Sequence, residues 1–352
     1  MKNSLLQPHS PTRIFAFSAI ATMAALIGVG LGKGLVGVLT ALILIAVEVS
    51  FSFDNAILNA KVLAKMSKTW QTLFLTVGAL IAVFGMRIVF PIVIVAITAG
   101  IGWREVMDLA LHHPHEYAEK LHLAHPVLSS FGGAFLLVLA LSFFTNEQEV
   151  AWFTRPERVF RKVSRAWWPA AITLLAVVIV SVVPANHYGR QTAIAGVLGV
   201  IIYTAIHGLT SLLGRLEARN MQQAKKAIGH TGWAAFISFI YLEILDATFS
   251  FDGVLGAFAI TSDVVLIAIG LGVGALWVRS LTVFMVRRGT LGNYQYIEHG
   301  AHYTIGILAC ILFLSLFIAV PEAVTGLAGI GVIIASIIAS RQAIEAKHRP
   351  AA

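Results

Sequence analysis

Charge and sulfur are what this sequence has least of: 12% of its 352 residues are charged, and Cys310 is its single cysteine. One thiol excludes an internal disulfide and a two-cysteine redox pair. Cys310 lies in an apolar run, where it reads as a small packing residue. So little charge, beside 58% hydrophobic residues and a mean hydropathy of +0.85, excludes a soluble globular domain and indicates a polytopic membrane protein. The net charge of +8 does not indicate a nucleic-acid partner, because the basic residues fall in short connectors between apolar runs.

A membrane crossing needs about 20 mostly apolar residues. Such runs fall at 13–32, 34–58, 70–98, 127–146, 167–183, 191–213, 232–260, 264–286, 301–320 and 323–340, which predicts ten helices. Only Pro321-Glu322 separates the last pair, so a re-entrant hairpin is the alternative there. Lys2 and Arg13 before the apolar stretch 14–31 imitate a signal peptide, but they lack a small-residue cleavage site downstream, and a retained first helix is expected. No soluble domain is expected to flank the membrane part.

An even number of helices puts both termini on one side. The connectors on that side hold nineteen Lys and Arg, those on the opposite side hold four (Lys33, Arg104, Lys120 and Arg190), and Arg87 and Arg279 lie within runs. The positive-inside rule then predicts cytoplasmic termini. The three lysines Lys61, Lys65 and Lys68 and the cluster from Arg155 to Arg165 read as topology determinants beside anionic lipid.

Against this apolar background two segments carry carboxylates. They are Glu48-Val-Ser-Phe-Ser-Phe-Asp54-Asn55 and Asp246-Ala-Thr-Phe-Ser-Phe-Asp252-Gly253, which align at an offset of 198 residues. Gly78 lies nine residues before Arg87 and Gly270 nine before Arg279, so an intramembrane arginine recurs as well. The pattern predicts a tandem duplication, 1–183 and 184–352, of about five helices each. Five is odd, so the second copy enters the membrane from the opposite side. The expected fold is therefore all-α, with two inverted-topology repeats whose acids converge near the midplane, as in many secondary transporters.

On a helix Glu48, Ser52 and Asn55 share a face, as do Asp246, Ser250 and Gly253, whereas Asp54 and Asp252 lie about 120° away. Either the acids serve different neighbours, or each helix breaks near Phe-Asp-Asn and Phe-Asp-Gly. With Glu243, five acids lie in spans, each costing roughly 2.5–3.5 kcal/mol at a helix centre. Arg87 and Arg279 are counter-ions for two of them and leave three over. Carboxylates with Ser50, Ser52, Thr248, Ser250 and Asn55 offer hard oxygens that suit Mg²⁺, Ca²⁺ or Mn²⁺. Carboxylates also relay protons, so a cation and a proton could compete for the same groups, and a proton-only relay is the rival reading.

Phe51, Phe53, Phe249 and Phe251 alternate with the polar residues and read as packing around the site. The outer connector 103–126 carries His112, His113, His115, His122 and His125 with Glu116 and Glu119, read as a solvated amphipathic connector, with weak metal capture as the alternative. His207, His299 and His302 read as hydrogen-bonded packing residues.

The paired motifs, Glu48 to Asn55 and Glu243-Ile-Leu-Asp246 to Gly253, resemble the signature of TerC-like integral membrane proteins over roughly 34–320. That family is linked to manganese efflux and tellurite resistance. The resemblance implies that Glu48, Asp54, Asn55, Asp246 and Asp252 correspond to its acidic motif residues. The expectation is an inner-membrane exporter of a divalent cation, Mn²⁺ first, exchanged for protons at a site of Glu48, Asp54, Asn55, Glu243, Asp246, Asp252, Ser52 and Ser250. No cofactor is expected; lipids and, in a homo-oligomer, a second copy are the only other partners. The alternative is a membrane anchor of a metal- or tellurite-stress complex. An enzyme is not expected, because neither Asp lies in the Gly-x-Gly-Asp motif of intramembrane aspartyl proteases.

Overall fold

A computed structural model of the protein describes residues 11–145, 150–153, 157, 167–221, 232–288 and 294–348. Among the described residues there is no strand, and eight helices are long and apolar enough to cross a membrane. Each of the ten predicted runs falls on a helix. The count differs in two places: Trp168–Val182 is only 15 residues long, and the first run and most of the second lie in one stretch, Ile14–Ser50.

That stretch is not one straight rod. Pro11–Phe51 is helical except at Gly34, whose φ of 67° and ψ of −165° belong to a region that only glycine visits cheaply. Val29 and Gly37 would be about 12 Å apart along a continuous helix. A Cβ built on Gly37 would instead lie 3.1 Å from a Val29 methyl, so the chain doubles back at Gly34 into α1 (11–33) and α2 (35–51). Then come α3 (Phe53–Ala64), α4 (Lys68–Ala99), α5 (Trp103–His112) and α6 (Pro114–Thr145). The second half contributes α7 (Trp168–Val182), α8 (Gly189–Met221), α9 (Gly232–Ile260), α10 (Val264–Arg288), α11 (Ile297–Leu314) and α12 (Glu322–His348). The His-rich connector is thus α5 and the start of α6.

The chain divides into two compact units, Met1–His125 with Thr210–Arg288, and Pro126–Leu209 with Gly289–Ala352. Each unit draws on both sequence halves. In the first, α1 and α2 pack against α10: the Ser18 hydroxyl donates to the Leu276 carbonyl at 3.0 Å, Trp277 Nε1 donates to Thr22 at 2.9 Å, and Phe15 stacks on Trp277. Gly270 and Gly274 face α2 so closely that a Cβ on either would lie 2.5 Å from the Cβ of Leu44 or of Glu48. This small-xxx-small contact is how membrane helices approach without a hydrophobic driving force. A second cluster of Leu63, Phe74, Phe239, Leu242 and Val283 ties α3 and α4 to α9 and α10.

In the second unit Phe135 meets Tyr203 edge-on at 5.5 Å. Glu157 is buried. It accepts from the backbone N–H groups of Trp152 and Phe153 and from the Tyr303 hydroxyl at 3.0–3.2 Å, with His299 Nε2 3.6 Å from its other oxygen. His302 bonds the Glu298 carbonyl and stacks on Phe143, and His207 stacks on Tyr203, which fits their reading as packing residues.

Candidate functional site

All the predicted site residues fall in the first unit. Glu48 is the end of a polar ladder on α2: Arg87 Nη2 donates to its Oε1 at 2.5 Å and the Ser52 hydroxyl donates to the same oxygen at 3.0 Å. Arg87 sits in the second of two π-helical stretches of α4, Phe74–Gly78 and Ile81–Val89. A π-turn widens the helix and rotates the residues beyond it, and such stretches concentrate at functional sites.

The second copy repeats the pairing. Arg279 lies 3.5 Å from Asp246 and 3.2 Å from both oxygens of Glu243, so one guanidinium serves two acids. It also donates to the Phe74 carbonyl at 3.1 Å, with its Cζ 4.1 Å from the Phe74 ring centroid. Gly78 makes room for this group, since a Cβ there would lie 2.5 Å from Arg279 Nη1. Aligned positions therefore carry like ion pairs, Glu48 with Arg87 and Asp246 with Arg279.

Between the two acid-motif segments, Asn55 Nδ2 donates to Asp246 Oδ1 at 2.8 Å. The three described acids outnumber the two arginines by one. Ser250 is buried on α9 one turn beyond Asp246. Ser50 is exposed and the Thr248 hydroxyl donates back to the Ile244 carbonyl, so neither joins the cluster. The side chains of Asp54 and Asp252 lie outside the described residues, as do those of Phe51 and Phe251.

The backbone answers the question of a break differently in each copy. In the first, the helix bends at Ser52 (φ −95°, ψ 15°), two residues before Asp54, with the Ser52 and Ala56 N–H groups still bonded four residues back. In the second, α9 runs unbroken through Asp252 and Gly253.

Several buried polar atoms here have no partner among the described residues: Oδ1 of Asn55, Oδ1 of Asn59, Nε and Nη1 of Arg87, and Nε of Arg279. Leaving such a group unpaired costs roughly 1–3 kcal/mol. Asn59 is absent from the predicted site, although it continues the 48, 52, 55 stripe by four residues. Glu157 is absent too, hidden in the cationic cluster from Arg155 to Arg165.

Among the described residues no three His, Cys, Asp or Glu side chains are grouped to hold a metal ion. In the His-rich region His112 instead pairs with Asp108 at the exposed surface, 2.8 Å away. At the helix ends, Asp263 is paired with Lys33. Partial burial would push its pKa up, but the Lys33 ammonium and the N–H groups of Leu266 and Val265 hold it below the ordinary carboxylate value. Burial, with help from Lys65, lowers Lys61 to about 8.

A family model described as "Protein of unknown function (DUF475)" matches residues 53–347. No curated protein and no solved structure matches the chain.

Proposed function

Because the chain belongs to the DUF475 family, whose description assigns no activity, we propose its function from the site: a multi-pass transporter that exports a divalent cation, Mn²⁺ first, in exchange for protons. The observation that carries the reading is the Asn55 to Asp246 bond, which joins the two copies of the acid motif inside an apolar helical unit. Acids at membrane depth are costly and mark ion pathways. Those here exceed their arginines by one among described side chains, and by three once Asp54 and Asp252 are counted as ionised. Hard oxygens suit hard divalent ions, and the choice of Mn²⁺ rests on the resemblance of the motifs to TerC-like proteins.

The topology we propose has ten crossings in the cell inner membrane, as two inverted five-helix repeats with both termini cytoplasmic. Three observations support it. The chain doubles back at Gly34, which divides a 37-residue stretch far longer than one crossing requires. Lys33 pairs with Asp263, and both lie in connectors assigned to the outer side. Ion pairs recur at aligned positions in both copies.

The ion pairs also favour a second reading, a scaffold in which the acids only hold helices together. Manganese content separates the two. Cells expressing Asp54→Asn or Asp252→Asn should accumulate manganese as cells lacking the protein do. Content like that of wild-type cells in both variants would sink the transport reading.

A further inference from the structure

The amide oxygens of Asn55 and Asn59 stand out among the unpartnered atoms, because each residue is almost wholly buried, at 1% and 2% exposure. The bond from Asn55 Nδ2 to Asp246 fixes which way that amide is turned, and so leaves its carbonyl oxygen to face something else. Asn59 lies one helical turn further along α3, about 6 Å down the axis. With Glu48 and Ser52 the two complete a sequence stripe at spacings of four, three and four residues, which a regular helix would place on one face over roughly 16 Å and which here crosses the bend at Ser52. That is about half the thickness of a bilayer's hydrocarbon core. The aligned positions of the second copy are Gly253 and Ala257, which offer no side-chain oxygen and little bulk.

We infer that Asn59 is a further ligand of the transported divalent cation: its carbonyl oxygen, with that of Asn55, forms a neutral step between the acids and the C-terminal end of α3. The assignment rests on the transport reading above. Its chemistry differs from that of the acids in a useful way. Carboxylates bind a hard cation tightly, whereas uncharged amide oxygens hold it weakly enough to let it pass on, and conduction needs both entry and release. Because the step occurs in one copy only, it makes the two ends of the path unequal.

The test uses the full-length protein in detergent and in liposomes, with radioactive Mn²⁺ as the probe. Asn59→Ala should weaken equilibrium Mn²⁺ binding and raise the KM for flux at least fivefold, and Asn59→Asp, which restores an oxygen ligand, should return binding to within twofold of wild type or tighter. Asn59→Leu should behave as Asn59→Ala. If Asn59→Leu misfolds, the alanine variant, which adds no bulk, decides alone. Unchanged binding and KM in Asn59→Ala, beside normal wild-type flux, overturns the role of Asn59 and leaves the transport reading standing. No binding or flux of any divalent ion by the wild-type protein overturns both.

Discussion

Glu48 and Arg87 show how a charged residue is made tolerable inside an apolar helix pair. Both are about 95% buried, and each is the other's charge partner. A buried pair adds little net stability, but removing one member strands the other at several kcal/mol. Arg87→Leu should therefore destabilise the protein by roughly 3–5 kcal/mol, and Glu48→Leu added to it should recover most of that loss. Thermal unfolding in detergent of the two single variants and the double variant checks this; equal, additive losses would contradict it. The residue types of this site are legible in the sequence, since carboxylates and arginines are conspicuous against 58% hydrophobic residues. Partnership is not. The sharing of Arg279 between Glu243 and Asp246 depends on where α9 and α10 pack, which no local pattern encodes. Asn59 escapes notice for a different reason: a neutral amide carries no charge penalty to flag it.

At the scale of the element, apolar length predicts helices well and their interruptions poorly. The turn at Gly34 falls at Gly32-Lys33-Gly34, between the first two apolar runs. The bend in the first copy lies at Ser52 rather than at Asp54, and Gly253, the glycine that would tolerate a second break, lies in an unbroken helix. Glycine permits a bend without compelling one, and packing against neighbours decides. The π-helical stretches of α4, one ending at Gly78 and the other containing Arg87, carry no propensity pattern that marks them in the sequence. Gly274 gives the clearest test of how α2 is held. Gly274→Ala would drive a methyl into Glu48 Cβ and should cost roughly 1–3 kcal/mol in thermal unfolding, while Gly331→Ala, which faces open space, should be neutral. Equal stability of the two variants would contradict the close α2 to α10 approach.

For the whole molecule, the duplication expected from the sequence and the compact units in space divide the chain differently. Each unit takes helices from both halves, so residues 191 to 198 positions apart, such as Asn55 and Asp246 or Asp54 and Asp252, are brought into one unit. The acid motif can be read from the sequence because it is written twice, but the interleaving cannot, because it arises from helix packing. In the proposed transporter this interleaving builds one cation path from two copies of the acid motif. Divalent-cation flux into proteoliposomes tests it most directly, run with Mn²⁺, Mg²⁺ and Ca²⁺ against an imposed proton gradient. Proton-coupled Mn²⁺ flux is expected of the wild-type protein, with at least a tenfold loss in both Asp54→Asn and Asp252→Asn. Wild-type flux that survives either substitution, or no cation flux at all, would contradict it.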